Sequence, residues 1–226
     1  MSLNTLRRRA VVLLASALVV TGFTACASVA PQPSQGGPSA GPVSSPTPSP
    51  TPTHEPILIQ WVDFPPYPET PALMSDRDNI IKEIGQTAGQ TNEVHGDIMK
   101  FMVQGITLDP VCVPGAPEPE NGHFIRVDMQ GEVLSALTAA YENGGYPPSL
   151  MFNSWQVIDS NGVTINGYPD TEAAIACLTR TEMIYYTDVK PGERAVGSVV
   201  LDVPVEHGTL VFTWGIGAVG GWEYNF

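Results

Sequence analysis

The sequence predicts an all-β fold, an antiparallel β-sandwich, and three observations predict it. Over roughly the last 145 residues, short apolar runs alternate with polar positions at intervals of about 8 to 12 residues, separated by turn residues. No amphipathic run of about ten residues at helical spacing interrupts them. The C-terminal stretch from Asp188 then carries the clearest pattern: Pro191-Gly192 as a turn, Val199, Leu201 and Val203 on one face, and Leu210, Phe212 and Trp214 on one face again. A single hairpin is marginal in water, so the upstream strands must supply a second layer to cover that face.

In chain order, residues 1–26 read as a secretory signal: Arg7-Arg8-Arg9, an apolar run over residues 10–20, then small residues up to Ala25-Cys26. The apolar run is shorter than the roughly 20 residues of a membrane span. Phe23-Thr24-Ala25-Cys26 resembles a bacterial lipobox, with Phe23 where Leu is usual, which makes Cys26 the predicted lipidation site. Residues 27–78 are predicted to be a disordered tether rich in Pro, Ser and Thr. Up to Pro56 it lacks the apolar surface to offset its ordering entropy, and as polyproline-like chain it reaches about 80 Å. Ile57, Leu58, Ile59, Trp61, Val62 and Phe64 form an apolar burst, but Pro65, Pro66, Pro68 and Pro71 deny it regular structure. It either wraps over the domain or stays loose, and the domain itself is read as residues 79–226.

Within that domain, Ile80, Ile81 and Ile84 before Gly85 form a first strand, and residues 98–108 a second that stops at Asp109-Pro110. Ile125, Val127, Met129 and Val133 alternate with Arg126, Asp128, Gln130 and Glu132 in a third. Residues 134–141 form either a helical turn or the end of that strand. Residues 152–159 and 163–165 read as a hairpin through Asn161-Gly162, a pair suited to a type I′ turn. Residues 173–178 and 183–187 add two short strands before a closing hairpin that joins the run ending at Val203 to the run beginning after Gly208. In that register Val200 and Val211 point away from the core.

Of three cysteines, Cys26 is assigned to lipid, leaving Cys112 and Cys177. Two such residues in an exported chain pair as a disulfide, which in the chain-entropy model stabilises by roughly 4 kcal/mol. Neither has a neighbouring C-x-x-C, so zinc and thioredoxin chemistry find no support.

LDPVC, ENGHFIRVD, the Phe152-Asn153-Ser154-Trp155 strand, DSNGVTI, the cysteine of AIACL, KPGERAVGSVVLDVP and the closing GGWEY together resemble a family of immunoglobulin-like domains in envelope lipoproteins and secreted proteins of Gram-positive bacteria, actinobacteria especially. The resemblance spans residues 84–226 and is weak over 134–148. It implies an Ig-like β-sandwich and brings no catalytic residues with it.

Charge narrows the partners. Three of the ten basic residues lie in the signal, leaving seven against 23 acidic residues, a net −16 for the chain after Cys26. That balance argues against nucleic acid and against electrostatic adhesion to anionic surfaces. Gly215-Ile216-Gly217-Ala218-Val219-Gly220 matches G-x-G-x-x-G in form, but six residues follow Gly220, too few for the helix a dinucleotide needs. His54, His95, His123 and His207 lack ligand spacing, no G-x-S-x-G occurs, and no two carboxylates stand out as a pair. No cofactor, metal site or catalytic residue is therefore expected. Trp155, Phe212, Trp214, Trp222 and Tyr224 are expected in the core. Tyr141 and Tyr146 lie in a glycine-rich loop, and are the candidate partner-binding residues beside the plainer reading of a surface loop. The sequence thus reads as a non-catalytic, lipid-anchored module on the outer face of the bacterial plasma membrane, exposed in the cell wall, with a protein or cell-wall partner. The alternative is an envelope hydrolase or carbohydrate-active protein with an unrecognised carboxylate pair.

Overall fold

The computed structural model describes residues 53–68, 72–140, 149–214 and 220–226, all within the compact unit Ser49–Phe226. Among the described residues, eight strands form two four-stranded sheets. One is ordered β1 (Ile80–Ile81), β8 (Trp222–Asn225), β7 (Gly208–Phe212), β5 (Trp155–Asp159), with β1 parallel to β8 and the rest antiparallel. The other is the antiparallel series β2 (Ala88–Asn92), β3 (Gly96–Leu108), β4 (His123–Val133), β6 (Arg194–Val203). The predicted antiparallel-rich sandwich is thus the observed architecture.

Alternation explains the core. Met99, Phe101 and Val103 of β3, Ile125, Val127 and Met129 of β4, and Val199, Leu201 and Val203 of β6 are all essentially without exposed surface, and face Leu210, Phe212 and Tyr224 of the other sheet in one cluster. At its centre Phe101 meets Phe212 and Trp222 edge-on, with ring centroids 4.9 and 4.8 Å apart, and Trp155 lies 5.0 Å from Phe212. Gly131 leaves room for this. A Cβ there would come within 2.6 Å of the Phe152 ring, so the aromatic rests on bare backbone.

Five expectations about elements are corrected. β6 and β7 are not a hairpin, because they belong to opposite sheets. Both carry an apolar face, and placing them in facing layers lets each cover the other; Pro204, which lacks an N–H for the ladder, stands at the crossing. Residues 173–178 are not a strand: Glu172–Ala176 is helix α2, following α1 (Ala136–Ala140) in chain order. Thr171 caps it, accepting from the Ala174 N–H at 3.1 Å, and three alanines favour the helix. Residues 183–187 contribute one bridge, Met183 to Ser198, and then turn. At Asn161-Gly162 the positive φ falls on Gly162 alone (82°), and the Asp159 carboxylate, accepting from the Asn161 and Val163 N–H groups, holds a turn other than type I′. Val200 and Val211 are buried, not outward in water, so both faces of these strands are covered. Val200 lies in a second apolar cluster with Phe124, Ala173, Ala174, Cys177 and Leu178, formed where α2 packs on the outside of β6.

The expected domain start at residue 79 also moves. Residues 53–68 and 72–78 are hydrogen-bonded to the sheets, so the end of the predicted 27–78 tether belongs to the folded unit. Cys26, the tether up to residue 52, Tyr141, Tyr146 and residues 215–219 of the glycine corner lie outside the described residues.

Candidate functional site

The side of β4 that the sequence assigns to solvent carries Arg126, Asp128 and Gln130, opposite Val200, Ser198 and Val196 of β6. Arg126, Gln130 and Ser198 are nevertheless buried. Two segments share the work of covering this face: the chain after α2, and an extended arm formed by residues 53–68.

The prolines of the arm rule out a regular ladder, so its backbone is met by side chains. Gln130 pairs with both polar groups of Val62, accepting from its N–H at 3.0 Å and donating to its carbonyl at 2.7 Å. A register shift in β3 between Val103 and Gly105 sets Gln104 apart from the ladder, and its amide donates to the Gln60 carbonyl and to Gln130 Oε1. Arg126 donates to the Ile57 carbonyl at 2.9 Å, while the Ile57 N–H donates to Glu182 Oε1 at 3.0 Å. Trp61 stacks under Arg194 with 4.8 Å from guanidinium to ring centre and meets Phe64 edge-on.

Glu182 is the node of the arrangement. Its side chain has no exposed surface and accepts from His54 Nε2, the Ile57 and Thr179 N–H groups, the Thr179 hydroxyl and, at 3.4 Å, Arg126 Nη1. Burial pushes its pKa up, but the bonds from Thr179, His54 and Ile57 outweigh that and bring it down to about 2. Gly197 of β6 makes the approach feasible, since a Cβ there would stand 2.7 Å from the Glu182 carbonyl oxygen. Arg126 completes the network with Asp128 at 2.7 Å, which also accepts from Ser198.

The remaining buried carboxylates are bound in the same manner. Asp202 accepts from the Glu120 and Asn121 N–H groups and from Thr171, tying the loop before β4 to the α2 cap. Glu223 of β8 receives a bidentate Arg77, Ser75 and Asn79, which pins residues 75–79. Cys112 and Cys177 form a disulfide with Cα atoms 4.4 Å apart, joining the β3–β4 loop to the end of α2. At the rim, His123 lies between Asp109 at 2.9 Å and Glu206 at 3.7 Å, and the Asp109 hydrogen bond raises its pKa.

A cleft of about 370 Å³ opens between the sheet edges, walled by Tyr67, Leu73, Ile80, Lys82 and Trp222, with Glu83 as the single carboxylate among its described wall residues. Among the described residues no group of three or more His, Cys, Asp or Glu side chains could hold a metal ion, and no helix is long and apolar enough to cross a membrane. The predicted core aromatics Trp155, Phe212, Trp214, Trp222 and Tyr224 are all buried. Sequence reasoning missed Glu182, His54, Arg126 and Gln130. The signal that could have found them is the apolar burst at 57–64, which needs a surface to lie on, beside a strand whose polar side carries groups able to bond a backbone. Compared with family models, curated proteins and solved structures, the chain matches none.

Proposed function

We propose that this protein is a non-catalytic, lipid-anchored extracellular module with an Ig-like domain, acting as a binding, accessory or antigenic protein of the bacterial envelope. The observation that carries the reading is the use made of the buried carboxylates. Glu182, Asp202 and Glu223 are each saturated with hydrogen bonds from backbone and side chains, so their charge holds segments together. A hydrolase instead needs a pair in unlike environments facing a cavity, whereas the cleft beside Trp222 has one carboxylate among its described wall residues.

The strand order supports the Ig-like part of the reading. Without the N-terminal β1 and β2, the series β3-β4-β6 faces β5-β7-β8, the A-B-E and C-F-G pattern of that sandwich, with α2 in the place of a D strand and Trp155 on the C-like strand. The disulfide departs from the usual B–F link, since it joins a loop to a helix end outside the sandwich. It does accord with an oxidising compartment. The resemblance of the sequence motifs to actinobacterial envelope lipoproteins, the immunoprotective secreted antigen of mycobacteria among them, points the same way.

Anchoring rests on the Phe23 to Cys26 motif. The full chain expressed in a Gram-positive host should partition into detergent with a diacylglyceryl group on Cys26, and Cys26→Ala should be released or left unprocessed. A mature N-terminus downstream of Cys26 in the unaltered protein would refute the anchor. Cross-linking on intact envelope, followed by capture of the chain, identifies the partner.

A further inference from the structure

His54 closes the arm onto the domain, and its two ring nitrogens meet two acceptors. Nδ1 faces the Val111 carbonyl and Nε2 faces the Glu182 carboxylate at 3.0 Å. A neutral imidazole has one N–H and one lone pair, so either tautomer sets that lone pair against an oxygen. Only the imidazolium donates to both. The His54 side chain is 4% exposed and that of Glu182 fully buried, so water is poorly placed to relieve the mismatch.

We propose that His54 is a pH-sensitive latch, which holds the start of the arm against Val111 and Glu182 while doubly protonated and releases it on losing a proton. The charged groups that face it are Glu182 in the segment after α2 and Arg126 on β4, itself paired with Asp128. The Val111 loop also carries Asp109, bonded to His123. The Val111 hydrogen bond raises the His54 pKa, burial lowers it, Glu182 raises it and Arg126 lowers it, with a net rise. Because the docked value lies above the undocked one, the latch is fully closed below the ordinary histidine pKa and opens as pH rises through the docked value.

Opening is confined to one end of the arm. The Val62 pairing with Gln130 joins uncharged amides, and the Trp61 stack on Arg194 depends on neither His54 nor Glu182. Residues 53–56 therefore lift, Ile57 keeps its bonds to Arg126 and Glu182 but opens more readily because the His54 bonds no longer have to break with it, and residues 61–64 stay seated. On the anchored reading proposed above, four more free residues lengthen the tether by roughly 12 Å at about 3.1 Å per residue. The latch itself does not depend on the anchor.

The test is amide hydrogen exchange on the full chain without lipid, corrected for intrinsic rates, from about pH 5.5 to about pH 8.5 across the ordinary histidine range. The Ile57 amide reports the latch and the Val62 amide is the internal standard. The ratio of Ile57 to Val62 protection should fall by about fivefold or more as pH rises, the scale of one lost charge-assisted hydrogen bond. In His54→Asn the ratio should be low and flat, and in His123→Asn it should follow the unaltered protein. Val62 protection shows that each variant is folded. A ratio that stays constant in the unaltered chain, an Ile57 amide unprotected at every pH, or the same fall in His54→Asn overturns the latch. Because no measurement uses Cys26, failure of the latch and failure of the anchor remain distinguishable.

Discussion

The inner face of the sandwich and its arm-covered outer face are both buried, but by opposite chemistry. Inside, Phe101, Leu201, Leu210 and Phe212 exclude water through area and shape. Outside, Arg126, Gln130 and Glu182 lose water and regain it as hydrogen bonds to the arm. The difference teaches where substitutions are graded and where they are not. Truncating an apolar side chain costs in proportion to the cavity left, whereas removing one member of a buried polar network strands the rest.

The largest effects should fall on the inner face. Phe212→Ala and Leu201→Ala should each lower unfolding free energy by about 3 to 5 kcal/mol in denaturant titration, through lost burial plus cavity. Reducing the Cys112–Cys177 disulfide, which spans 65 residues, should cost about 4 kcal/mol in the chain-entropy model and lower the melting temperature. Values this large for the core alone, with the disulfide near zero, would show that the loop before β4 is held by Asp202 without it.

On the outer face, Glu182→Ala should cost about 3 kcal/mol, because it strands the Ile57 and Thr179 N–H groups and His54 and leaves Arg126 with Asp128 as its one carboxylate. A double variant that also carries Arg126→Met should recover part of that loss, an outcome the inner face has no counterpart for. The same carboxylate makes an acid prediction. Its folded pKa of about 2 lies below the ordinary glutamate value, so the stability it adds is present above the unfolded pKa and disappears as pH falls toward the folded one. Glu182→Gln should flatten this part of the acid-unfolding curve.

Smaller effects sharpen the contrast. Val200→Ala should cost about 1 to 2 kcal/mol, since α2 covers it as the core covers Val199. Tyr224→Phe should stabilise by about 1 kcal/mol, because its buried hydroxyl has no hydrogen-bond partner among the described residues. A loss on Tyr224→Phe would reveal an unrecognised partner for the hydroxyl.

Legibility in the sequence follows the same division. Period-two alternation in residues 125–133 and 199–203 marked the inner face, and the inward residues were readable there because apolar burial is non-directional, whereas residues 98–108 were readable only as a strand, since Ile98 and Met102 interrupt the alternation. The partner of each strand was not readable. β6 and β7 look like a hairpin along the chain, and only the choice of sheet, set by facing layers and by Pro204, separates them. Residues 173–178 misled because Ala and Ile fit either element, and the deciding Thr171 cap lies two residues before the run. The arm interface was hidden for another reason. Arg126 and Gln130 in an alternating strand have the composition of a solvated face, and their burial depends on a segment over 60 residues away in sequence.

The central claim is that residues 53–65 are part of the folded domain, seated on β4 by Glu182, Arg126 and Gln130. Chymotrypsin digestion of the native full chain at about pH 6, within the range where an ordinary histidine carries its charge, with N-terminal sequencing of the resistant fragment, tests it most directly. The account predicts a fragment that begins upstream of His54 and retains intact bonds after Leu58 and Trp61. A resistant fragment beginning at Ile59, at Val62 or later, formed before any cut within the sheets, would contradict it.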